Sequence, residues 1–357
     1  MKIVSNIIRK AYFFKYNVQP FRLSLVSSHV RRRLLSSLGL KKGFRIIDLA
    51  LTYACNLDCK HCSAELMKSN EKELTIEDYR EIVRQSKELD VFSWNITGGE
   101  PLLVDWLEDL IPVLKPKTHS IFIQTNCMLL DENKAKKMAE LGVNCITTSL
   151  DHIQPEKHNE FRGSELSYDK VMEGVRNAKK YGMQALIGVT VSHQNLRSKS
   201  LIELIETFNH IGVIVLFNLA IPCGKWAGKS DVMLRGDDRE YLLKIMEKYP
   251  MTSTDHEVGR NAVGCPAGVE KVYITPYGDV TPCPFLSVSF GNIRSATLSN
   301  IVKEMRKVPE FNKYQKFCIG AEDFNFYENV MCKMNSFEPP YPIHYTEIYG
   351  DKSKLDE

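Results

Sequence analysis

Residues 45–62 read Arg-Ile-Ile-Asp-Leu-Ala-Leu-Thr-Tyr-Ala-Cys-Asn-Leu-Asp-Cys-Lys-His-Cys. The aliphatic run predicts a strand over 45–53, and the loop that follows carries Cys55, Cys59 and Cys62 spaced CxxxCxxC. Three thiolates leave one position of a metal centre open. Soft thiolates select zinc, copper(I) or iron–sulfur clusters, and a structural zinc site closes on four ligands. His61 is a candidate fourth ligand, although its adjacency to Cys62 makes simultaneous binding awkward.

Working outward, short β-branched or aromatic runs alternate with longer segments of three-to-four-residue apolar periodicity, the pattern of repeated strand–helix units. Six strands are predicted, at 45–53, 92–97, 119–125, 144–149, 184–191 and 213–219. Thr75-Ile-Glu-Asp78 reads as a capping box opening one helix; Asp131 and Gly142 bracket another. Further helices are expected near 168–181, 200–210 and 237–249. The fold class is α/β, an open sheet or partial barrel, in which ligands gather at the carboxyl ends of the strands. A composition change near Pro250 ends the pattern. From there to Phe337 the chain is rich in Gly, Pro and Cys, with short strands at 271–275 and 280–282; the Pro339, Pro340 and Pro342 tail reads as extended and partly mobile.

The 357 residues, 43% apolar and 25% charged, suggest two compact units. Ten cysteines are too few for a secreted disulfide scaffold, and the start lacks a signal-peptide pattern, so the reading is cytosolic. The longest apolar stretch, 211–222, is broken by Gly212 and Asn218 and is too short to span a bilayer. Net charge is +3, yet residues 1–47 hold eleven Lys/Arg and no acid. Ile3, Val4, Ile7, Ile8, Ala11 and Tyr12 recur there at helical spacing among Arg9, Lys10 and Lys15, which suggests docking on the barrel or on an anionic membrane surface. Arg31-Arg32-Arg33 lacks the aromatic-plus-basic module of a nucleic-acid binder.

The cysteine loop after the first strand, followed by Gly98-Gly99-Glu100-Pro101 after the second, resembles the radical S-adenosylmethionine (radical SAM) superfamily, with its partial (β/α)6 barrel. The resemblance implies that Cys55, Cys59 and Cys62 bind three irons of a [4Fe–4S] cluster and that SAM chelates the fourth. It implies SAM contacts from Gly98, Gly99, Glu100 and Pro101 to the amino group. Thr125 and Asn126 on the third strand, Ser149 and Asp151 on the fourth, and Thr190 and Asn195 on or after the fifth are further candidates. Arg162 is the candidate partner of the SAM carboxylate. The glycine pair suits close backbone approach to a ligand, and Glu100 suits an ammonium.

Cys265 and Cys283, spaced Cx12Gx4C, resemble the opening of a SPASM or twitch domain. A full SPASM domain has a denser cysteine run; here only Cys318 and Cys332 remain, which implies a single auxiliary [4Fe–4S] cluster on these four. If one of the later two lies elsewhere, an iron stays open. Cys127 and Cys145 read as small core residues; Cys223, after Pro222 at the barrel mouth, reads as a packing residue, with a substrate-side thiol as the alternative. The divisions expected are 1–43 basic segment, 44–235 barrel, 236–337 linker helix and auxiliary domain, and 338–357 tail. The resemblance implies hydrogen abstraction from a peptide or small metabolite, with flavodoxin or ferredoxin as electron donor. The alternatives are a lipid or isoprenoid substrate at the membrane, and a non-catalytic zinc-thiolate scaffold or nucleic-acid module.

Overall fold

The computed structural model describes residues 22–38, 43–254 and 264–350. Six strands pair in sequence order, all parallel: β1 (Ile46–Ala50), β2 (Ser93–Thr97), β3 (Ser120–Gln124), β4 (Cys145–Ser149), β5 (Gln184–Val191) and β6 (Ile214–Leu219). Between them run α2 (Ile76–Gln85), α3 (Leu107–Val113), α4 (Glu132–Leu141), α5 (Pro155–Arg162), α6 (Ser167–Lys180) and α7 (Lys199–His210). The local chemistry is as read: Thr75 and Asp78 cap α2 reciprocally, Asp131 caps α4, and Gly142 ends it at φ +102°. The core lies between sheet and helices, and β5 alternates little because both its faces are covered.

Three parts differ from the sequence reading. The strand pattern continues past Pro250: after α8 (Asp238–Lys248), β7 (Thr252–Thr254) adds a seventh parallel strand beside β6. Thr-Ser-Thr carries no apolar signal, although all three residues are buried. On the opposite edge β8 (Lys271–Ile274) pairs parallel to β1, and β9 (Val280–Thr281) closes the hairpin. The Cys-containing segment therefore extends the same open sheet. The tail is ordered through Gly350: β11 (Ile343–His344) pairs with β10 (Val288–Ser289), Tyr341 is buried against Tyr53 and Tyr273, and Tyr345 stacks on Phe290 at 4.9 Å.

Helix α1 (Leu23–Ser37) covers the amino ends of the strands. Ser24 and Ser28 donate to the carbonyls of Lys117 and Thr118, and buried Arg32 pairs with Asp90 at 3.3 Å over the Phe92 ring. The amphipathic pattern of 3–15 lies outside the described residues. Among those described, no helix is long and apolar enough to cross a membrane.

Candidate active site

The carboxyl ends of β1 to β6 deliver their loops to one cleft of about 210 Å³. The thiols of Cys55, Cys59 and Cys62 line it, facing Gly98, Gly99, Thr125, Asn126, Ser149, Arg162 and Thr190. The cysteine loop is held from several sides. Lys60 N–H donates to the Phe161 carbonyl, Lys225 N–H donates to that of Cys62, and the Lys225 ammonium pairs with Asp58. Gly224, at φ +57°, packs so tightly on the Cys62 carbonyl that a Cβ there would collide with it.

The glycine pair serves the loop's root. A Cβ at Gly98 or Gly99 would strike the carbonyl of Thr52 or Ala54, and the Gly99 and Glu100 N–H groups donate to those same carbonyls at 2.7 and 2.9 Å. Glu100, expected to meet an ammonium, is turned inward and fully buried. It accepts from Leu102 N–H, from the Thr125 hydroxyl at 2.8 Å and from Asn126 N–H at 2.7 Å. Burial raises its pKa against the pull of these donors. Pro101 opens the buried turn after it. Asn126, set in this way, directs its amide to within 3.8 Å of Cys55 Sγ. Asn195, expected to face SAM, instead ties its own loop: its amide donates to Thr190 O and its oxygen accepts from Ser192 N–H.

Arg162 is gripped by Asp151, with Nε 2.7 Å from Oδ2, and its Nη1 lies 3.8 Å from Cys59 Sγ. Burial disfavours the Asp151 carboxylate, but the Arg162 guanidinium beside it pulls the pKa down to about 2. Asp151 Oδ1 also accepts from Thr190 N–H, joining the fourth and fifth strand ends. Its backbone N–H donates to His158 Nδ1, which leaves Nε2 to donate to Ser167. His61, the candidate zinc ligand, lies flat on Phe161 at 4.5 Å and tilted against Trp226, and burial lowers its pKa to about 4. Cys127 and Cys145 are buried core thiols, and Cys223 is buried at the cleft wall.

Gln124 and Asn218 also line the cleft and escaped the sequence reading. A polar residue inside the apolar β6 run was the available signal for Asn218. Gly188 on β5 makes room for it, since a Cβ there would lie 2.7 Å from Asn218 Nδ2.

A second, smaller cavity of about 50 Å³ is lined by Cys265, Cys283 and Cys318. Asn218, Leu219, Ile221 and Phe285 border both cavities. Cys332 does not line this cavity; its exposed thiol is hydrogen-bonded with Tyr327.

The donor set suits iron–sulfur binding: three thiols open to one cleft, with an amide and a guanidinium N–H aimed at two of the sulfurs, the kind of contact that tunes a cluster. Among the described residues no three His, Cys, Asp or Glu side chains converge on a single-ion site. The thiolates of a cluster bind separate irons and need no such convergence.

Residues 49–207 match the Radical SAM superfamily, and residues 265–333 match SPASM, an iron–sulfur cluster-binding domain. The chain is 23% identical over 304 residues to an AdoMet-dependent heme synthase of Nitratidesulfovibrio vulgaris, covering 76% of this chain and 82% of that one. It is 28% identical over 249 residues to the mycofactocin maturase MftC of Mycolicibacterium smegmatis, covering 66% and 63%. In three dimensions it resembles Streptococcus suis SuiB bound to the precursor peptide SuiA, with a TM-score of 0.58, 17% identity, and 77% and 68% of the two chains covered. Against anSMEcpe with bound AdoMet the TM-score is 0.60, at 19% identity over 87% and 97%. At these identities the structural likeness is one of fold.

Proposed function

Because the chain belongs to the radical SAM superfamily and carries a SPASM domain after its catalytic sheet, we propose that it abstracts hydrogen from an unactivated carbon of a peptide or small metabolite. In this reading Cys55, Cys59 and Cys62 hold a [4Fe–4S] cluster, SAM fills its open iron, and a second cluster occupies the SPASM thiols. The reduced cluster and SAM together supply the 5′-deoxyadenosyl radical, chemistry that belongs to the cofactors. The protein's residues position and enclose.

The backbone of Gly98 and Gly99 and the side chains of Thr125, Asn126, Ser149 and Thr190 are the proposed SAM contacts. Glu100 and Asn195 act one step behind them, holding 125–126 and 190–192 in place. Asp151 fixes Arg162 so that the guanidinium faces the cleft beside Cys59. His61, Phe161 and Trp226 pack beside the cysteine loop and limit water at that wall. The observation that carries this reading is the meeting of the three thiols, the glycine pair and Arg162 in one cleft. A relative named as a heme synthase supports a small-molecule substrate, and one named as a mycofactocin maturase supports a peptide. The electron is assigned to flavodoxin or ferredoxin.

The test is anaerobic. Reconstituted protein should change its EPR spectrum on addition of SAM and release 5′-deoxyadenosine under dithionite. Cys59→Ala should lower that release by a hundredfold or more; release at the wild-type rate would mean the site is elsewhere.

A second reading, a lipid substrate met at a membrane surface, draws support from α1 and the residue after it, where Leu23, Val30, Leu34 and Leu38 face outward at 83, 53, 57 and 61% exposure.

A further inference from the structure

After Cys62 the thiol-bearing loop continues as residues 63–74, and Ser63, Ala64, Glu65 and Lys68 of this stretch line the reaction cleft. Apart from one helical turn at Glu65–Met67 it holds no regular element, so its backbone groups need partners outside it. From the catalytic sheet the Thr52 hydroxyl donates to Glu73 at 2.8 Å. The carboxy-terminal segment supplies more. The Tyr277 hydroxyl accepts from Ser69 N–H at 2.9 Å and donates to Ser69 O at 3.0 Å, a clasp on both backbone groups of one residue. Leu74 N–H donates to Pro276 O at 2.7 Å, and Tyr341 N–H donates to Leu66 O at 3.0 Å. Arg294 joins the two sides: Nη2 donates to Lys72 O and Glu73 O at 2.9 and 3.1 Å, and Nη1 to Tyr277 O at 2.8 Å.

These contacts give the glycine of the Cx12Gx4C spacing a task. Gly278 lies in the turn between β8 and β9 at φ +98°, where a Cβ would stand 2.7 Å from Asn292 Oδ1. The Asn292 amide donates to Tyr277 O at 3.0 Å. The turn thereby fixes Tyr277, which is buried, with its hydroxyl on Ser69. Neither Tyr277 nor Arg294 lines the cleft. Both act on it through the backbone of 69–74, which runs on from the cleft-lining residues 63–68.

We propose that Tyr277 and Arg294 are positioning residues for SAM: from the carboxy-terminal segment they hold residues 63–74 as a wall of the reaction cleft, so that affinity for SAM is set in part by the β8–β9 turn. This deepens the proposed function and rests on its placement of SAM in the first cleft.

The experiment uses full-length protein, reconstituted anaerobically with iron and sulfide and assayed for 5′-deoxyadenosine release under dithionite as SAM is varied. Tyr277→Phe removes the hydroxyl and keeps the ring that packs in the cluster with Met67. Its KM for SAM should rise about fivefold or more, the scale of one net hydrogen bond, with kcat held within about twofold. Arg294→Lys keeps the charge but loses the fork, and should act alike. Ser295→Ala, which loses only a bond to the Asn292 carbonyl, should change neither constant. Wild-type iron content in all three variants separates these effects from misfolding. Hydrogen–deuterium exchange adds a readout apart from turnover. Amides of 66–74 should exchange faster in Tyr277→Phe, and SAM added to wild-type protein should slow exchange at 275–279, because coupling between sites is reciprocal. An unchanged KM in Tyr277→Phe or Arg294→Lys, a loss confined to iron content and kcat, or SAM that alters the EPR spectrum without slowing exchange at 275–279 overturns the positioning role. Wild-type protein whose EPR spectrum and exchange both ignore SAM would instead defeat the placement of SAM in the first cleft.

Discussion

Arg162 owes its orientation to Asp151. One carboxylate oxygen, Oδ2, accepts from both Nε and Nη2 along one edge of the guanidinium, with side-chain exposures of 12% for Arg162 and 7% for Asp151, and leaves Nη1 toward Cys59. Asp151→Asn would strand a buried cation, and breaking a buried pair from one side costs about 3–5 kcal/mol. Denaturant unfolding of the metal-free variant should show that loss at pH 7; an unchanged midpoint would mean the pair is not buried in solution. The pH dependence has a definite sign. Asp151 titrates at about 2 in the fold and at about 3.9 when unfolded, so the folded state binds its proton more weakly. The pair's contribution is whole above about pH 4 and is lost as pH falls through about 2, so the stability gap between wild type and Asp151→Asn should narrow over that window.

At the scale of the element, α1 has two faces with different work. Leu25, His29 and Arg32 are buried against the sheet's lower end, while Val30 and Leu34, with Leu38 just past the helix end, project outward. If that stripe meets lipid, Val30→Ser, Leu34→Ser and Leu38→Ser together should cut sedimentation with phosphatidylglycerol vesicles by about tenfold or more, since each apolar side chain removed from lipid forfeits about 1.5 kcal/mol or more. Equal sedimentation removes the membrane reading. The same element-level view explains what was legible. β5 was found at its true bounds because eight residues of near-continuous apolar character have no helical competitor. α3 went unread, being seven residues with Pro112 near its end. That the thiols of the first loop meet in one cleft was legible because their spacing is local. The hydrogen bonds that tie Glu100 to Thr125 and Asn126, and Asn195 to Thr190 and Ser192, were not legible, since such partners depend on contacts across the sheet and within the folded loop. The place of Cys332, exposed and outside the cavity lined by Cys265, Cys283 and Cys318, was hidden for the same reason: counting thiols does not reveal which way a helix turns them.

For the whole molecule, the composition break near Pro250 suggests two separable units, yet the sheet runs through it. β8 pairs with β1 over four residues, the Tyr273 hydroxyl donates to that of Tyr53 at 2.9 Å, and Arg294 donates to the carbonyls of Lys72 and Glu73. Between β8 and β1 lies an ion pair, Lys271 Nζ to Asp48 Oδ2 at 3.0 Å, with Asp48 1% exposed and also bonded by the Asn95 amide. Such a pair couples the two segments through the cost of separating it. Lys271→Met should therefore destabilise the entire sheet by about 3 kcal/mol or more, because a carboxylate in the interior loses its counter-charge. Adding Asp48→Asn should recover most of that loss, since removing both charges avoids the stranded one. Both variants should unfold in one transition whether followed by far-UV circular dichroism or by tryptophan fluorescence, which reports on Trp94, Trp106 and Trp226. A Lys271→Met protein in which the SPASM segment melts first, with the transition of residues 46–219 unmoved, would show that β8 is an attachment to the sheet and not a strand of it.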